Sequence, residues 1–138
     1  AKKDYRVFTL VGDGECQEGL VWEAAMSAAH YKLDNFTVIM DHNRLQIDGD
    51  NDDVMSLGDI MGKFAAFGFD TYKVDGHDID AVTAALKAPF TPGRPKFVCC
   101  ETVKGKGVSF MENKASWHGS TIKQADCEAA IKELKEAL

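Results

Sequence analysis

The stretch VFTLVGDG at residues 7–14 decides how this chain folds, because an apolar run there leads directly into a Gly-Asp-Gly turn. Residues 7–11 are typical of a buried β-strand, and a second such run, FTVIM at residues 36–40, leads to Asn43. In an open α/β sheet, the carboxyl ends of the strands form the ligand crevice. We therefore expect Asp13 and Asn43 to lie close together at that edge of a sheet.

The residue types at this edge suit a divalent cation and a diphosphate. Asp13 offers a carboxylate oxygen, Asn43 an amide oxygen and Leu45 a backbone carbonyl, which are ligands of the kind that Mg²⁺ or Ca²⁺ takes. Gly12 and Gly14 carry no Cβ and let the backbone approach a diphosphate, and the first turn of the helix after Gly14 presents N–H groups to phosphate. The alternative is a tight strand-to-helix turn in which Asp13 caps a helix and Asn43 is unrelated.

Strand-like and helix-like stretches alternate along the rest of the chain. Residues 18–33 are expected to form a helix, residues 70–74 and 95–102 two further strands, and the C-terminal stretch an amphipathic helix. The apolar side of that last helix carries Cys127, Ile131, Leu134 and Leu138. Repeated βα units predict a three-layer α/β fold with a mostly parallel sheet. At this length we expect a single domain, residues 1–138.

Local capping patterns predict where the inner helices begin and end. Ser56 with Asp59 resembles a capping box that opens a helix after a polar connection at residues 48–53. Gly68 is expected to end that helix, and Asp78 to cap the next one at its N-terminus.

Composition excludes several classes of protein. The net charge of −6 argues against a nucleic-acid-binding surface, and no apolar stretch approaches the roughly 20 residues that span a bilayer. The N-terminus lacks the apolar region of a signal peptide. The four cysteines show no CxxC spacing, and Cys99 and Cys100 should point to opposite faces of a strand. These features predict reduced thiols in a cytoplasmic protein.

Five segments together carry a resemblance to a known family. They are GDGECQEG from residue 12, DHNRLQIDG from residue 41, VDGHD from residue 74, TVKGKG from residue 102 and WHG from residue 117. The first two look like the thiamine diphosphate motif, and the order of all five resembles transketolases over residues 5–120. The chain is most similar to the N-terminal subunit of split transketolases, which carries the diphosphate-binding half of the enzyme.

The resemblance implies an incomplete thiamine-diphosphate-binding fold of the pyrophosphate-binding (PP) type, with the metal held by Asp13, Asn43 and the carbonyl of Leu45. It implies cofactor contacts from Gly12, Asp13, Gly14, Glu15, Asn43, Leu45 and His118. His118 would match the active-site histidine that contacts the diphosphate and the substrate, although a lone histidine also occurs as a surface or capping residue. Glu18 would face the partner's cofactor-activating carboxylate across a dimer interface; its alternative is an acid in a first helical turn.

For two further histidines and a pair of lysines, the sequence leaves both a functional and a structural interpretation open. His42 adjoins the metal-site asparagine or merely fills space beside it. His77 matches a family feature, yet local turn chemistry explains it equally well. Lys104 and Lys106 neutralise phosphate or form a solvated basic loop.

The chain departs from the family pattern in what it lacks. It starts just before the Gly-Asp-Gly strand, so the family's upstream glycine-rich segment and histidines are absent, as is the pyrimidine-binding half with its catalytic glutamate. We therefore expect the isolated chain to be inactive, to need a C-terminal partner half, and to self-associate through uncovered apolar surface.

The resemblance implies transfer of a two-carbon ketol unit between sugar phosphates, as in the pentose phosphate pathway. Two alternatives stay open at this point. One is a dehydrogenase-type thiamine enzyme that acts on 2-oxo acids, since it shares the GDG and Asn positions. The other is a non-catalytic domain that keeps the fold alone.

Overall fold

The computed structural model describes residues 4–137, so the Leu138 position predicted for the last helix lies outside the described residues. The strands are β1 Val7–Gly12, β2 Phe36–His42, β3 Leu45–Gln46, β4 Gly49–Asp50, β5 Asp70–Asp75 and β6 Lys96–Glu101. The helices are α1 Gly19–His30, α2 Asn51–Met55, α3 Ile60–Phe67, α4 Ile79–Lys87 and α5 Gln124–Glu136, with 3₁₀ turns at Gly14–Gln17 and Ala115–Trp117.

Four strands form one parallel sheet in the order β1-β2-β6-β5, which confirms the predicted parallel arrangement. In register, Gly12 lies opposite Asp41, and Glu101 lies between His42 and Asp75. All four carboxyl ends therefore meet at one edge, where crossover connections leave room for a ligand. β3 and β4 form a small separate hairpin just beyond that edge.

Helices cover both faces of the sheet, which confirms the three-layer prediction. On one face, Ala25 and Ala28 of α1 and Phe64 of α3 pack with Phe97 of the sheet. Phe64 is fully buried and stacks on Phe97 with ring centroids 3.8 Å apart. On the other face, α4 packs against Val98 and Cys100. Cys99 and Cys100 therefore belong to opposite layers, as the alternation of a strand requires.

The helix predicted for residues 18–33 spans Gly19–His30, with Glu18 as its N-cap. The helical first turn expected directly after Gly14 was wrong, because a short 3₁₀ turn, Gly14–Gln17, stands there. The capping box predicted at Ser56 was also wrong. Ser56 does not open α3; it follows α2, and its hydroxyl donates to Asp52 at 2.6 Å. Asp59 alone caps α3, accepting from the Gly62 N–H at 2.9 Å. The capping box failed because the polar connection forms a short helix of its own.

Strand β1 is an edge strand whose apolar side chains are incompletely covered. Phe8 is 47% exposed and Leu10 is 69% exposed. These two residues lie on the face opposite Val11, which packs into the α1–α3 side of the core.

Among the described residues, no helix is both long enough and apolar enough to cross a membrane.

Lys96 is a fully buried lysine at the start of β6. Its Nζ donates to the carbonyls of Ala85 at 3.1 Å and Ala88 at 2.6 Å, at the C-terminal end of α4. It also lies 4.5 Å from the centre of the Phe90 ring. Burial lowers the pKa of Lys96, and the charge of nearby Arg6 lowers it further. The ammonium thus satisfies carbonyls that a helix end otherwise leaves without partners.

Replacing Lys96 by methionine is expected to lower the free energy of unfolding by about 2 kcal/mol, because buried carbonyls lose their donor. Urea titration of the wild type and Lys96→Met measures the difference. Lys87→Met, at the exposed end of the same helix, is the matched control and should change stability by less than about 0.5 kcal/mol. Equal effects of the two substitutions would contradict the role given to Lys96.

Candidate functional site

A cleft of about 560 Å³ opens at the carboxyl edge of the sheet. Every residue that the sequence placed in the site lines it: Gly12, Asp13, Gly14, Glu15, Glu18, Asn43, Leu45 and His118. The cleft also contains Lys104, one of the two loop lysines considered above, and four residues that the sequence did not indicate, Asp41, Gln46, Ile47 and Asp48. The fold therefore brings three distant segments, around residues 12–18, 41–48 and 104–118, to a single place.

Asp13 is the buried anchor of this cleft, with 1% of its surface exposed. Its Oδ1 accepts from the Gly14 N–H at 2.8 Å, and its Oδ2 accepts from the N–H of Arg44. These two bonds join the Gly-Asp-Gly turn to the segment that follows β2. Each carboxylate oxygen has a second lone pair, so Asp13 retains acceptor capacity toward a cation.

Asn43 is oriented by its neighbours. Its Nδ2 donates to Asp41 Oδ2 at 3.3 Å, and its Oδ1 accepts from the Leu45 N–H at 3.0 Å. Asp41 is itself held by the hydroxyl of Thr102. Because the amide nitrogen is committed to Asp41, the amide oxygen is the group left with a free lone pair. Arg44 takes a positive φ of 65°, which turns the chain sharply after Asn43.

The carbonyl of Leu45 also remains available. The Asn51 N–H donates to the Arg44 carbonyl at 2.9 Å, and Leu45 pairs with Asp50 in the next position of the hairpin. Hydrogen-bonded and non-hydrogen-bonded pairs alternate in an antiparallel ladder. Leu45 thus occupies a non-hydrogen-bonded pair, so its carbonyl points out of the ladder, and Leu45 itself lines the cleft.

The β3–β4 hairpin packs closely against the Gly-Asp-Gly turn. A Cβ on Gly14 would lie 3.1 Å from Gln46 Cβ and 3.2 Å from Gln46 Oε1, so only glycine fits there without displacing Gln46. Behind them, Asn51 is buried, and within residues 4–137 neither polar atom of its side chain has a hydrogen-bond partner. The glycine keeps this corner open at the backbone level, which suits close approach of a ligand.

The two glutamates next to the turn differ in their hydrogen bonds. Glu15 Oε2 accepts from the Gly12 N–H at 2.6 Å, so its carboxylate already occupies one donor of the turn. Glu18 is the N-cap of α1, and its side chain makes no capping hydrogen bond. Its carboxylate is exposed at the cleft. Glu18 therefore stands just before the first turn of α1 and not within it, so the first-turn interpretation was wrong, and no capping bond fixes the direction of its side chain.

His118 reaches the cleft from the loop before α5. The Trp117 Nε1 donates to the Phe110 carbonyl at 3.1 Å, and the two rings meet edge to face with centroids 5.6 Å apart. Trp117 thus anchors the WHG segment, while His118 Nδ1 lies 3.3 Å from Lys104 Nζ. Of the two loop lysines, Lys104 lines the cleft, whereas Lys106 Nζ lies 4.0 Å from Glu112.

The residues that sequence reasoning left out follow two patterns. Asp41 stands at the end of β2, two positions before Asn43, and accepts a hydrogen bond from the hydroxyl of Thr102. The two residues are far apart in the sequence and come together only in the folded sheet. Gln46, Ile47 and Asp48 belong to a hairpin with a two-residue turn. The Asp48-Gly49 pair is a turn pattern of the kind that precedes a short strand, and it was the available indication of this hairpin.

Glu101 forms an ion cluster beside the cleft. Its carboxylate binds His42 Nδ1 and Lys73 Nζ, each at 2.9 Å, as well as the guanidinium of Arg44. Burial acts to raise the pKa of Glu101, but hydrogen bonds from Lys73 and His42 and the charge of Arg44 outweigh it and hold that pKa below its ordinary value. His42 is therefore engaged in a charge network rather than filling space.

Glu101→Gln is expected to lower the free energy of unfolding at pH 7 by about 1–2 kcal/mol, because Lys73 and Arg44 lose their anion and His42 loses a carboxylate hydrogen-bond partner. The lowered pKa fixes the sign: the carboxylate stabilises the fold above the ordinary value of 4.5, and this contribution is lost as pH falls through the lower pKa of the folded state. Urea titrations across that range should show the two proteins converging in acid. Glu23→Gln on α1 is the control, and a constant difference at all pH values would contradict the charge argument.

The donor set at the cleft fits a hard divalent cation. Asp13, Asn43 and the Leu45 carbonyl contribute three oxygen atoms, and Mg²⁺ commonly completes its shell with phosphate and water. The cluster of His42, Cys99 and Glu101 also places three ligand atoms within 4.8 Å of one another. There, however, lysine and arginine already neutralise the carboxylate, and burial raises the pKa of the Cys99 thiol to about 11.

Comparison with known proteins identifies relatives of the whole described chain. Residues 2–137 match the family model described as transketolase, thiamine diphosphate binding domain. The chain is 39% identical over 138 residues to a subunit of apulose-4-phosphate transketolase from Phocaeicola vulgatus, in a match that covers 99% of this chain and 49% of that protein. It is 37% identical over 131 residues to the 6-deoxy-6-sulfo-D-fructose transketolase subunit SqwG from Clostridium sp., covering 94% of this chain and 48% of that protein.

Solved structures agree on the fold. Transketolase from Campylobacter jejuni superposes with a TM-score of 0.88 at 30% sequence identity, covering 96% of this chain and 21% of that one. A transketolase from Pichia stipitis in complex with sedoheptulose-7-phosphate gives a TM-score of 0.86 at 27% identity, covering 96% of this chain and 20% of that one. The chain spans about half the length of the subunit relatives and about a fifth of these solved chains.

Proposed function

Because the chain belongs to the transketolase family through its thiamine diphosphate binding domain, we propose that it binds this cofactor with Mg²⁺ at the cleft of Asp13 and Asn43. The observation that carries the proposal is the convergence of three oxygen ligands, from the ends of β1 and β2 and from the hairpin after β2, beside a turn where a Cβ on Gly14 would press against Gln46. These donors are the hard ligands that Mg²⁺ prefers, and Ca²⁺ is the second candidate.

In this proposal each part of the cleft has a separate task. Asp13, Asn43 and the Leu45 carbonyl hold the metal, and Asp41 keeps the Asn43 amide oxygen turned outward. Gly14 and the backbone at Glu15 lie against the diphosphate, with the Gly12 backbone forming the start of the turn. When bound, the cofactor supplies the carbanion chemistry of its thiazolium ring, and the protein supplies binding and orientation.

His118 and Glu18 are the proposed functional side chains at the open side of the cleft. Lysine has donors only, so the ammonium of Lys104 donates to Nδ1 of a neutral His118, whose Nε2 then carries the proton. That N–H is a donor toward an anionic group of the cofactor or substrate. Glu18 is free of capping bonds and exposed, as a residue facing a partner subunit would be.

We propose that the active enzyme contains a second polypeptide part with the pyrimidine-binding half. Two relatives are named as transketolase subunits, one for apulose 4-phosphate and one for 6-deoxy-6-sulfo-D-fructose. By analogy the reaction is transfer of a two-carbon ketol unit between sugar phosphates, with a dimeric or larger assembly. The exposed apolar side chains of Phe8 and Leu10 on β1 support a protein partner.

Calorimetric titration tests the binding proposal. Thiamine diphosphate should release heat with Mg²⁺ present and far less without it, and thiamine lacking the diphosphate should bind weakly in both cases. If no heat of binding is released with or without Mg²⁺, a domain that has the fold but does not bind the cofactor is favoured.

An activity assay of the chain with a co-expressed second half tests the reaction. Ketol transfer that requires both parts is expected, and the chain alone should be inactive. Decarboxylation of 2-oxo acids without ketol transfer would instead favour the dehydrogenase-type enzyme. Measurable ketol transfer by the chain alone would contradict the need for a partner.

A further inference from the structure

His77 lies outside the cleft, and its ring makes a hydrogen bond to the backbone of a distant segment. Its Nε2 accepts from the backbone N–H of Val103 at 2.8 Å, so its neutral ring carries the proton on Nδ1. Its own backbone N–H donates to Asp75 Oδ1 at 2.9 Å, which completes the turn after β5. Turn chemistry explains the second bond. It does not explain why the ring reaches to a residue 26 positions away.

The bond to Val103 is one of a series that holds the chain as it leaves β6. The Gly76 N–H donates to the Glu101 carbonyl at 2.7 Å, and the Thr102 N–H donates to the His42 carbonyl at 3.2 Å. Beyond these, the sheet ends, and the ring of His77 binds the last backbone N–H before Lys104.

The segment held in this way carries Lys104 to His118. The Lys104 Nζ lies 3.3 Å from His118 Nδ1, and the Lys104 carbonyl accepts from the Asn113 N–H at 3.0 Å. Thus the backbone of Lys104 is fixed on one side by Asn113 and on the other by His77 through Val103. The lysine ammonium is carried on a flexible four-carbon stem of fixed reach, so holding this backbone limits the region that the ammonium can occupy.

We propose that His77 is a positioning residue for the Lys104–His118 pair: by binding the Val103 N–H it holds the backbone that places Lys104 against Nδ1 of His118. His118 is thereby kept with its Nε2–H as the free donor at the cleft. That this donor binds an anion in the cleft rests on the proposed function, whereas the contact between Lys104 and His118 does not depend on it.

Two substitutions at one position separate this role from simple packing. His77→Gln keeps an oxygen that can accept from Val103, and His77→Met has nearly the same size and length without that acceptor. Selective ¹⁵N labelling of the four histidines, assigned with His118→Gln, follows His118 Nδ1 directly. Amide exchange follows the Val103 N–H.

In His77→Met we expect at least a tenfold faster exchange at Val103 and a shift of His118 Nδ1 toward the value of a ring without a donor. His77→Gln should restore both. Lys104→Met should abolish the Nδ1 shift while leaving Val103 protected, and it tests the pair even if His77→Met does not fold. An unchanged Nδ1 signal in His77→Met, or in Lys104→Met, would overturn the proposal.

The binding consequence is measured with inorganic pyrophosphate and Mg²⁺ as the probe. Affinity should fall three- to tenfold in His77→Met and stay within twofold of wild type in His77→Gln. If the wild type binds no pyrophosphate, the proposed function fails, and the nuclear magnetic resonance results alone decide the role of His77. If the wild type binds but His77→Met binds equally well, the positioning role fails while the proposed function stands.

Discussion

Replacing Asp13 by alanine is expected to weaken Mg²⁺-dependent binding of thiamine diphosphate by at least about 100-fold. Substitutions around a metal that leave the ligands in place already cost roughly 10- to 100-fold in affinity, and Asp13 is the single carboxylate in the proposed ligand set. Its two hydrogen bonds, to the N–H groups of Gly14 and Arg44, also join the two halves of the site. Calorimetric titration with and without Mg²⁺ measures the loss.

Two further variants separate loss of the ligand from loss of the fold. Asp13→Asn keeps one of the two oxygens that accept backbone N–H groups and removes the charge, but it turns an NH₂ toward the other N–H, so some loss of stability is expected. The folded Asp13→Asn protein, checked by circular dichroism, should still bind the cofactor poorly. Asp80→Ala removes an exposed acid from the first turn of α4, outside the cleft. It should bind like wild type. Unchanged affinity in a folded Asp13→Ala protein would refute the metal site.

Replacing Gly76 by alanine is expected to lower the free energy of unfolding by about 2–3 kcal/mol, in the upper part of the range of about 1–3 kcal/mol found when an atom is forced into a packed region. A Cβ there would lie 2.4 Å from Thr102 Cγ2 and 3.0 Å from both Cys100 Cβ and the Glu101 carbonyl oxygen. The carbonyl is already fixed by the Gly76 N–H at 2.7 Å. Neither strand end can move away without breaking that bond.

Gly19 provides the matched control for this substitution. It begins α1, and a Cβ there would meet nothing within 4 Å. Gly19→Ala should therefore leave stability unchanged or raise it by up to about 1 kcal/mol, since alanine restricts the unfolded chain. Urea and thermal unfolding of both variants supply the comparison. A Gly76→Ala protein as stable as Gly19→Ala would show that the close approach of β5 and β6 is not needed.

The sequence predicted the parts of the fold that depend on local pattern. The apolar runs before Gly12 and Asn43 became neighbouring parallel strands, and Gly68 and Asp78 ended and began helices where expected. The local capping pattern gave a wrong prediction in the polar connection between β4 and α3, where the chain forms the short helix α2. Asp50 caps α2 by accepting from the Asp52 N–H at 2.8 Å, which displaced the capping box assigned to Ser56.

The strand ends and their ligand types indicated Gly12, Asp13, Gly14, Asn43 and Leu45, and the family resemblance added Glu15, Glu18 and His118. All eight residues line one cleft. Their chemical roles stay proposals, because the fold positions side chains without showing what they bind. Asp41 was missed because its function depends on contacts with both Asn43 and Thr102, and only the pairing of β2 with β6 brings Thr102 near.

By itself, the sequence determined the layered α/β fold and the edge at which a site would form, because apolar periodicity and glycine turns act over a few residues. The tertiary structure decided the state of each polar group: that the Leu45 carbonyl points out of its hairpin, that Glu15 occupies the Gly12 N–H, and that Lys104 meets His118. These states depend on contacts between segments far apart in the chain. Such contacts are set by how strands pair and helices pack, and a local pattern of residues does not contain that information.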